Sequence, residues 1–396
     1  VHDYYGELWK WSFHLWSDAW GYQALLFGLA GCCGLALLIG YQTRIATCLA
    51  WILTCSLNTR APLLINGGDV LLCMGLFWGM FLPLGARFSL DTNRQRQKLT
   101  SSEEILSIAS AGILLQVAMM YLFTGLWKLN PVWLNGDALA IALSDVTVTR
   151  PLGNWLLNFP SLLHFLTQAT LGLELLGPLL LFSPVGTRFL RPITLVCLLG
   201  LHIGIEMTMT VMMFSYASLA LLMLFVPASW WNRFSRSTLL RKPGSDPGKP
   251  LTDSINTVEL DDTSSSWPPW CRRLGRALGC CCIGYAILFN VFTLAYRQGW
   301  PPALNAFSQV GTLLNFGQRW TMFDNPQEHL YRFAFYGRLK NGQQVELLRN
   351  QIISREDPFP ANAVPFPSQR WMQLHREATA PIGFIFRHDL ARYLAT

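Results

Sequence analysis

Residues 277–296 form twenty consecutive positions without a charge, bounded by Arg276 and Arg297. An α-helix rises about 1.5 Å per residue, so about twenty apolar residues cross a hydrocarbon layer about 30 Å thick. Residues 20–41 and 105–127 repeat the pattern. Residues 45–59 and 70–86 are shorter, and 162–182 carries Glu174 inside it. The run 192–227 holds His202 and Glu206 and is too long for one span, so it is divided near 209–211 into two helices. The expectation is an all-α polytopic transmembrane bundle of about eight helices. Only 13% of residues are charged, against about a quarter in soluble domains. That excludes a soluble enzyme, a disordered chain, a coiled coil and a collagen-like repeat.

Lysine and arginine placement orients the spans. Arg87, Arg94, Arg96 and Lys98 precede residue 105, Arg188 and Arg191 precede 192, and Arg236, Arg241, Lys242, Lys249, Arg272 and Arg273 lie between 233 and 276. With the split near 209–211 all three groups fall on one side, which the positive-inside rule makes cytoplasmic. The net charge of +7 is then a topology signal, and no nucleic-acid partner is expected. Residues 1–19 fall outside, which predicts a helix upstream of Val1.

The predicted organisation is a transmembrane domain over 1–232, a flexible cytoplasmic linker over 233–276, a last transmembrane helix over 277–296, and a periplasmic or lumenal domain over 297–396. In the linker, 242–267 is rich in Pro, Gly, Ser, Asp and Thr without apolar periodicity. In the last hundred residues, 330–339 and 343–348 flank Lys340-Asn341-Gly342. Asn-Gly is a hairpin signal because both residues tolerate positive φ, so this small extramembrane domain is expected to contain β-structure. Pro358, Pro360, Pro365 and Pro367 interrupt the chain after it, and 388–394 has helical character.

The ten cysteines all lie in or beside apolar runs. A disulfide framework or zinc knuckle needs them spaced in polar loops. They are read as small core residues, with reversible palmitoylation of Cys280, Cys281 and Cys282 as a second reading. The chain has no P-loop, dinucleotide fingerprint, serine elbow or HExxH sequence.

Ionisable residues at membrane depth mark functional sites by default. Lys128 ends a span of uncharged residues. Held against apolar surface, its amine can act as a general base; alternatively it snorkels to the outer interface beside Trp127 and Trp133. His202 and Glu206 are four apart on one helix face, which fits a proton relay, half of a metal site, or an internal pair fixing helix packing. No metal is expected, since no further ligands complete the set. Glu174 can pair with Arg60, Lys128 or His202, with Gly172 and Gly177 allowing close helix approach. Asn66-Gly67-Gly68-Asp69 reads as a turn, and Asp69 as a pocket residue if it points into the bundle. Tyr216, in Phe214-Ser215-Tyr216, is expected to pack at a helix break.

Four stretches carry a family likeness: Leu37-Leu-Ile-Gly-Tyr41-Gln-Thr-Arg44; Gly67-Gly-Asp69 through Leu84-Gly-Ala-Arg-Phe-Ser-Leu-Asp91; Gly125-Leu-Trp-Lys128-Leu-Asn-Pro-Val-Trp133; and His202 through Phe214-Ser-Tyr216. Over roughly residues 1–230 the chain resembles the vitamin K-dependent gamma-carboxylase family and its bacterial relatives that share the HTTM membrane domain. The resemblance implies an integral membrane enzyme of the carboxy-lyase class. Reduced vitamin K, or a menaquinone-type quinol, would be the cofactor, with O2 and CO2 consumed as protein glutamate becomes gamma-carboxyglutamate. Gly125–Leu129 matches the family's Gly-x-x-Lys-Leu motif, so Lys128 inherits the base role. His202 matches a family histidine in position. A second family histidine, ahead of a Ser-x-Asp motif, corresponds here to about Ala86. The implied partners are membrane lipids and a protein or peptide carrying glutamate, and the implied location is a bacterial inner membrane. The alternative is a non-enzymatic membrane protein that binds a lipid, a quinone or a partner protein.

Overall fold

The structure is a computed structural model that describes residues 11–61, 64–86, 89–91, 104–145, 148–227, 230–231, 257–259, 268–297, 299–326, 336–346, 351–352, 370–371 and 374. The basic residues Arg87, Arg94, Arg96, Lys98, Arg236, Arg241, Lys242 and Lys249 lie outside the described residues. So do Pro358, Pro360, Pro365, Pro367, residues 1–10 and 388–394, and most of the expected linker.

All eight expected apolar helices form. They are α1 (Trp20–Ile39), α2 (Thr43–Arg60), α3 (Gly67–Gly79), α4 (Ile108–Trp127), α8 (Pro160–Phe182), α9 (Leu190–Thr208), α10 (Phe214–Leu222, continued by a 3-10 turn to Phe225) and α11 (Pro269–Ala295). Between α4 and α8 lie three short helices: α5 (Pro131–Leu134), α6 (Ala138–Leu143) and α7 (Pro151–Leu156). Five of the described helices, α1, α4, α8, α9 and α11, are long and apolar enough to cross a membrane, so the chain is a multi-pass membrane protein. The helix α11 starts at Pro269, eight residues ahead of the uncharged run that announces it.

The centre of the bundle is α4, with α8 and α11 packed on it and α3 alongside. Its start is defined by a capping box in which the Ser107 and Ser110 side chains bond each other's backbone N–H. The joint between α1 and α2 is built from two distant stretches. Gly40 adopts φ +68°, and a β-carbon there would lie 2.2 Å from Ser89 Cβ. The Asp91 carboxylate accepts from the Gln42 and Thr43 backbone N–H groups at 2.8 and 2.9 Å, which stabilises the positive end of the α2 dipole.

The long run after residue 190 does break. Helix α9 ends at Thr208, Met212 takes φ +54°, and α10 starts at Phe214. The freed backbone groups find partners in the stretch before α7. Arg150 N donates to Thr208 O and Thr210 N to Val148 O, both at 2.8 Å, around an antiparallel bridge between Thr149 and Met209. Met209 and Val211 are buried at the break, and backbone polar groups buried away from water need such partners.

The β-structure is small. Strands β1 (Glu104–Leu106) and β2 (Thr257–Glu259) pair in parallel. The stretch 242–267 therefore contains a paired strand rather than being featureless throughout. Strands β3 (Tyr336–Arg338), β4 (Gln344–Glu346) and β5 (Gln351–Ile352) form an antiparallel sheet. The hairpin falls where Asn-Gly announced it, but only Gly342 has positive φ (+87°). Gly342 N donates to Leu339 O and Leu339 N to Gln343 O, the pattern of a longer loop with a left-handed glycine.

Residues 299–326 return to the bundle through α12 (Asn305–Leu313). Gln318 Oε1 accepts from Gln116 Nε2 on α4 at 2.5 Å, Asn290 Nδ2 on α11 at 2.8 Å and Trp320 Nε1 at 3.2 Å. This buried knot ties the segment after the last span to the central helix.

Of the cysteines, Cys33, Cys55 and Cys73 are buried. Cys32, Cys48, Cys197, Cys280 and Cys281 are exposed on helix faces, which corrects a uniform core role.

Candidate functional site

Lys128 caps the C-terminus of α4, its backbone N–H returning to Thr124 and Gly125. In a helix each Cα–Cβ bond leans toward the N-terminus, so the lysine reaches back into the bundle. There Nζ donates to both carboxylate oxygens of Glu174 on α8, at 2.6 and 2.7 Å. The ammonium also lies 4.5 Å from the centroid of the Trp133 ring on α5. Lys128 is 4% exposed and Glu174 5%. A snorkelling lysine keeps its head in water; this one is interior, and Glu174 has chosen it over Arg60 and His202.

The approach of α4 to α8 rests on Gly125. A β-carbon there would sit 2.9 Å from Leu175 Cδ2 and 3.2 Å from Leu175 N. Gly172 and Gly177 do not have this role: a β-carbon on Gly172 would meet nothing within 4 Å, and one on Gly177 would make ordinary contact. Above Lys128, the loop into α5 is held from the far end of the chain. Asn130 Nδ2 donates to Asp324 O at 2.6 Å and Trp133 Nε1 to Phe323 O at 2.8 Å.

One face of α4 deeper, the Tyr121 hydroxyl and His202 Nε2 are 2.7 Å apart, both groups buried. Phe214 packs against the imidazole. Among the described residues the buried His202 Nδ1 has no hydrogen-bond partner, nor do the Ser215 and Ser218 hydroxyls. His202 and Glu206 share a face of α9 yet use different partners. Glu206 Oε1 accepts from Arg150 Nη2 at 2.5 Å and from the Tyr216 hydroxyl at 3.0 Å, and Oε2 has no partner among the described residues. That corrects the reading of the two as an internal pair. The ring of Tyr216 is exposed at the break rather than packed into it. Arg150 was missed, because only the bridge at the α9 break carries it to Glu206.

Asp69 is not in a turn. Its carboxylate and the Asn66 side chain form the capping box that starts α3. It faces Arg370, whose guanidinium makes two bonds to it at 2.7 and 2.8 Å and a third to Leu64 O. The carboxylate beside it pushes the Arg370 guanidinium further up, against a smaller opposing effect of burial. Asp69 thus anchors a C-terminal residue and stands apart from the Lys128 layer.

Between α8 and α9 lies an apolar cavity of about 610 Å³. Leu173, Leu201 and Ile205 line it, each the chain neighbour of Glu174, His202 or Glu206. Gly172, Gly200 and Gly204 leave it open, since a β-carbon on any of them would meet nothing within 4 Å. Among the described residues no group of three or more His, Cys, Asp or Glu is arranged to hold a metal.

The profile of the HTTM domain matches residues 5–230, a stretch that contains α1 through α10. The chain belongs to the HTTM-domain family. This domain is shared with vitamin K-dependent gamma-carboxylase. No curated protein and no solved structure matches the chain. Within the HTTM domain, the first family-like stretch, 37–44, meets Ser89 and Asp91 at the end of the second in one structural joint around Gly40. The other two stretches supply Lys128 and His202.

Proposed function

We propose that this HTTM-domain protein is a quinol-dependent carboxylase of glutamate side chains on a protein or peptide, with Lys128 as base. The observation that carries the reading is the buried bond between Lys128 Nζ and both oxygens of Glu174. A carboxylate so placed accepts the lysine proton directly, which exposes the amine lone pair and leaves two neutral groups. In a low-dielectric interior, separated charges lose the solvation that favours them in water. His202, bonded to Tyr121 and with Nδ1 unpartnered, offers a second proton-handling nitrogen in the same bundle core.

The residues fit reduced vitamin K or a menaquinone-type quinol. The His202 Nδ1, unpartnered among the described residues, and the Lys128–Glu174 pair suit a hydroxylated ring, and an apolar cavity lined by the chain neighbours of Glu174 and His202 suits a prenyl tail. When bound, such a quinol would supply, together with O2, the strong base needed to remove the glutamate γ-proton. The chain's own residues orient the ring, hold the proton at Lys128 or Glu174, and keep water out beneath Trp133.

The proposed location is a bacterial inner membrane, with the C-terminal region periplasmic. It is supported by the charge distribution and by the contacts of Arg370 with Leu64 and Asp69, on the loop counted as outer.

The test uses full-length protein in nanodiscs with reduced vitamin K, O2, labelled CO2 and glutamate peptides. The wild type is expected to fix label and form quinone epoxide. Lys128→Ala should fix none, and Lys128→Arg should be nearly inactive because a guanidinium stays protonated. Activity retained in Lys128→Arg would overturn the base assignment. The second reading, a non-enzymatic protein that binds a lipid, quinone or partner, is favoured by Ala86 at the place of a family histidine. It predicts no fixed label in the wild type.

A further inference from the structure

Two arginines converge on the outer end of α4. The Arg297 guanidinium lies 4.7 Å and that of Arg319 5.6 Å from the centroid of the Trp127 ring. The ring is buried, and both arginines are exposed. Each is fixed by one hydrogen bond to backbone: Arg297 Nη2 to Leu126 O and Arg319 Nη2 to Arg297 O, both at 3.3 Å. Among the described residues Arg60, Arg150 and Arg370 each have an acidic partner, whereas Arg297 and Arg319 form no ion pair. An aromatic face holds a guanidinium without using its N–H edge, so most of the five donors on each remain available for a planar anion.

Among the described residues, Asp324 is the acid within electrostatic reach of both. Its backbone oxygen is held by Asn130 and its Oδ1 accepts from Asn325 N at 2.8 Å. Burial pushes its carboxyl above the usual range, and the bond from Asn325 and the fields of Arg319 and Arg297 oppose that. It stands within their electrostatic reach but makes no ion pair with either. Among the described residues two positive charges therefore face one negative charge, leaving room for a further carboxylate. Trp127 directly precedes Lys128, so an anion held here sits at the outer approach to the buried pair.

We infer that Arg297 and Arg319 form a carboxylate-binding site for an acidic side chain of a peptide substrate. The substrate class rests on the proposed carboxylation; the anion site itself rests on the arginine geometry. An acidic peptide is favoured over a lipid phosphate because the two guanidiniums stand at the end of α4 that carries Lys128.

The experiment measures anisotropy of a fluorescent glutamate-rich peptide with the full chain in phosphatidylcholine nanodiscs, without quinol or CO2. The wild type should bind it, and the glutamine version of the peptide should bind about tenfold more weakly. The Arg297→Gln/Arg319→Gln variant should lose the same factor, while Asp324→Asn should tighten binding about threefold by removing a like charge. Because Asp324→Asn gives a gain, it tests the site even if the double variant does not fold. Equal binding by wild type and a folded double variant would overturn the proposal, as would no change in Asp324→Asn. Loss of peptide binding in phosphatidylglycerol nanodiscs would assign the arginines to lipid headgroups and also overturn it. Peptide bound through the arginines, but never labelled when quinol and CO2 are added, would keep this site and sink the carboxylase reading.

Discussion

Helices α1 and α4 are both 20 residues long, uncharged and apolar enough to cross a membrane, yet only 6% of the α1 window is buried against 67% for α4. Their glycines show why. A β-carbon on Gly21, Gly28, Gly31 or Gly34 of α1 would meet nothing within 4 Å, so these positions bring no neighbour close. On α4, Gly112 would strike the Trp78 ring at 2.7 Å and Gly125 would strike Leu175. The polar residues differ in the same way. Gln116, Tyr121 and Lys128 on or at the end of α4 each find a partner on another element. Apolarity marks a helix as able to cross the membrane, whereas small and hydrogen-bonding residues decide which helix becomes the centre.

The largest break in this contrast should come from splitting the buried ion pair. Lys128→Ala or Glu174→Ala leaves an unpaired interior charge and should destabilise the bundle by about 3–5 kcal/mol. Detergent-titrated unfolding would read this. Lys128→Met/Glu174→Leu should recover most of the stability and none of the activity. Recovery of activity in that double variant would remove the pair from the proposed chemistry.

Next in size, Gly125→Leu should cost about 1–3 kcal/mol by forcing α4 and α8 apart, and should lower activity through displacement of Lys128. The matched change on the exposed helix, Gly28→Leu, should stay within about 0.5 kcal/mol. Equal effects at the two glycines would mean that α1 is covered in the membrane by another helix.

Smaller again, Tyr121→Phe leaves His202 buried without its only described hydrogen bond, at a cost of about 1 kcal/mol. The smallest effect is expected from Leu35→Ala on α1, since Leu35 is 62% exposed. It should leave unfolding unchanged within error.

The helices were legible because each is marked by an apolar run with at most one acidic residue, and the break near 209–211 because no single span holds 36 residues, 192 through 227. Lys128 and Glu174 stand out in the sequence as charges in or at the end of apolar runs, and Arg60, Lys128 and His202 are the candidate partners it offers Glu174. Other parts were not legible. Glu206 was grouped with His202 by spacing, but it pairs with Arg150, which arrives only through the bridge between Thr149 and Met209. Asp69 looked like a turn residue because Asn, Gly and Asp also make turns; here they cap α3. The arginines over Trp127 lie 170 and 192 positions away along the chain from it, far beyond any periodicity.

By itself the sequence determined what local chemistry controls: which runs are apolar enough to leave water, that the run after residue 190 must break, and that a lysine and a glutamate lie where solvation is poor. The tertiary structure alone decided which charges meet. In an apolar medium each polar group must find a partner, and several partners lie within reach of any one helix face. Gly125 admits α8 to the end of α4, and that approach selects Glu174 for Lys128. The return of residues 299–326 then places Asp324 and Arg319 above the same helix end.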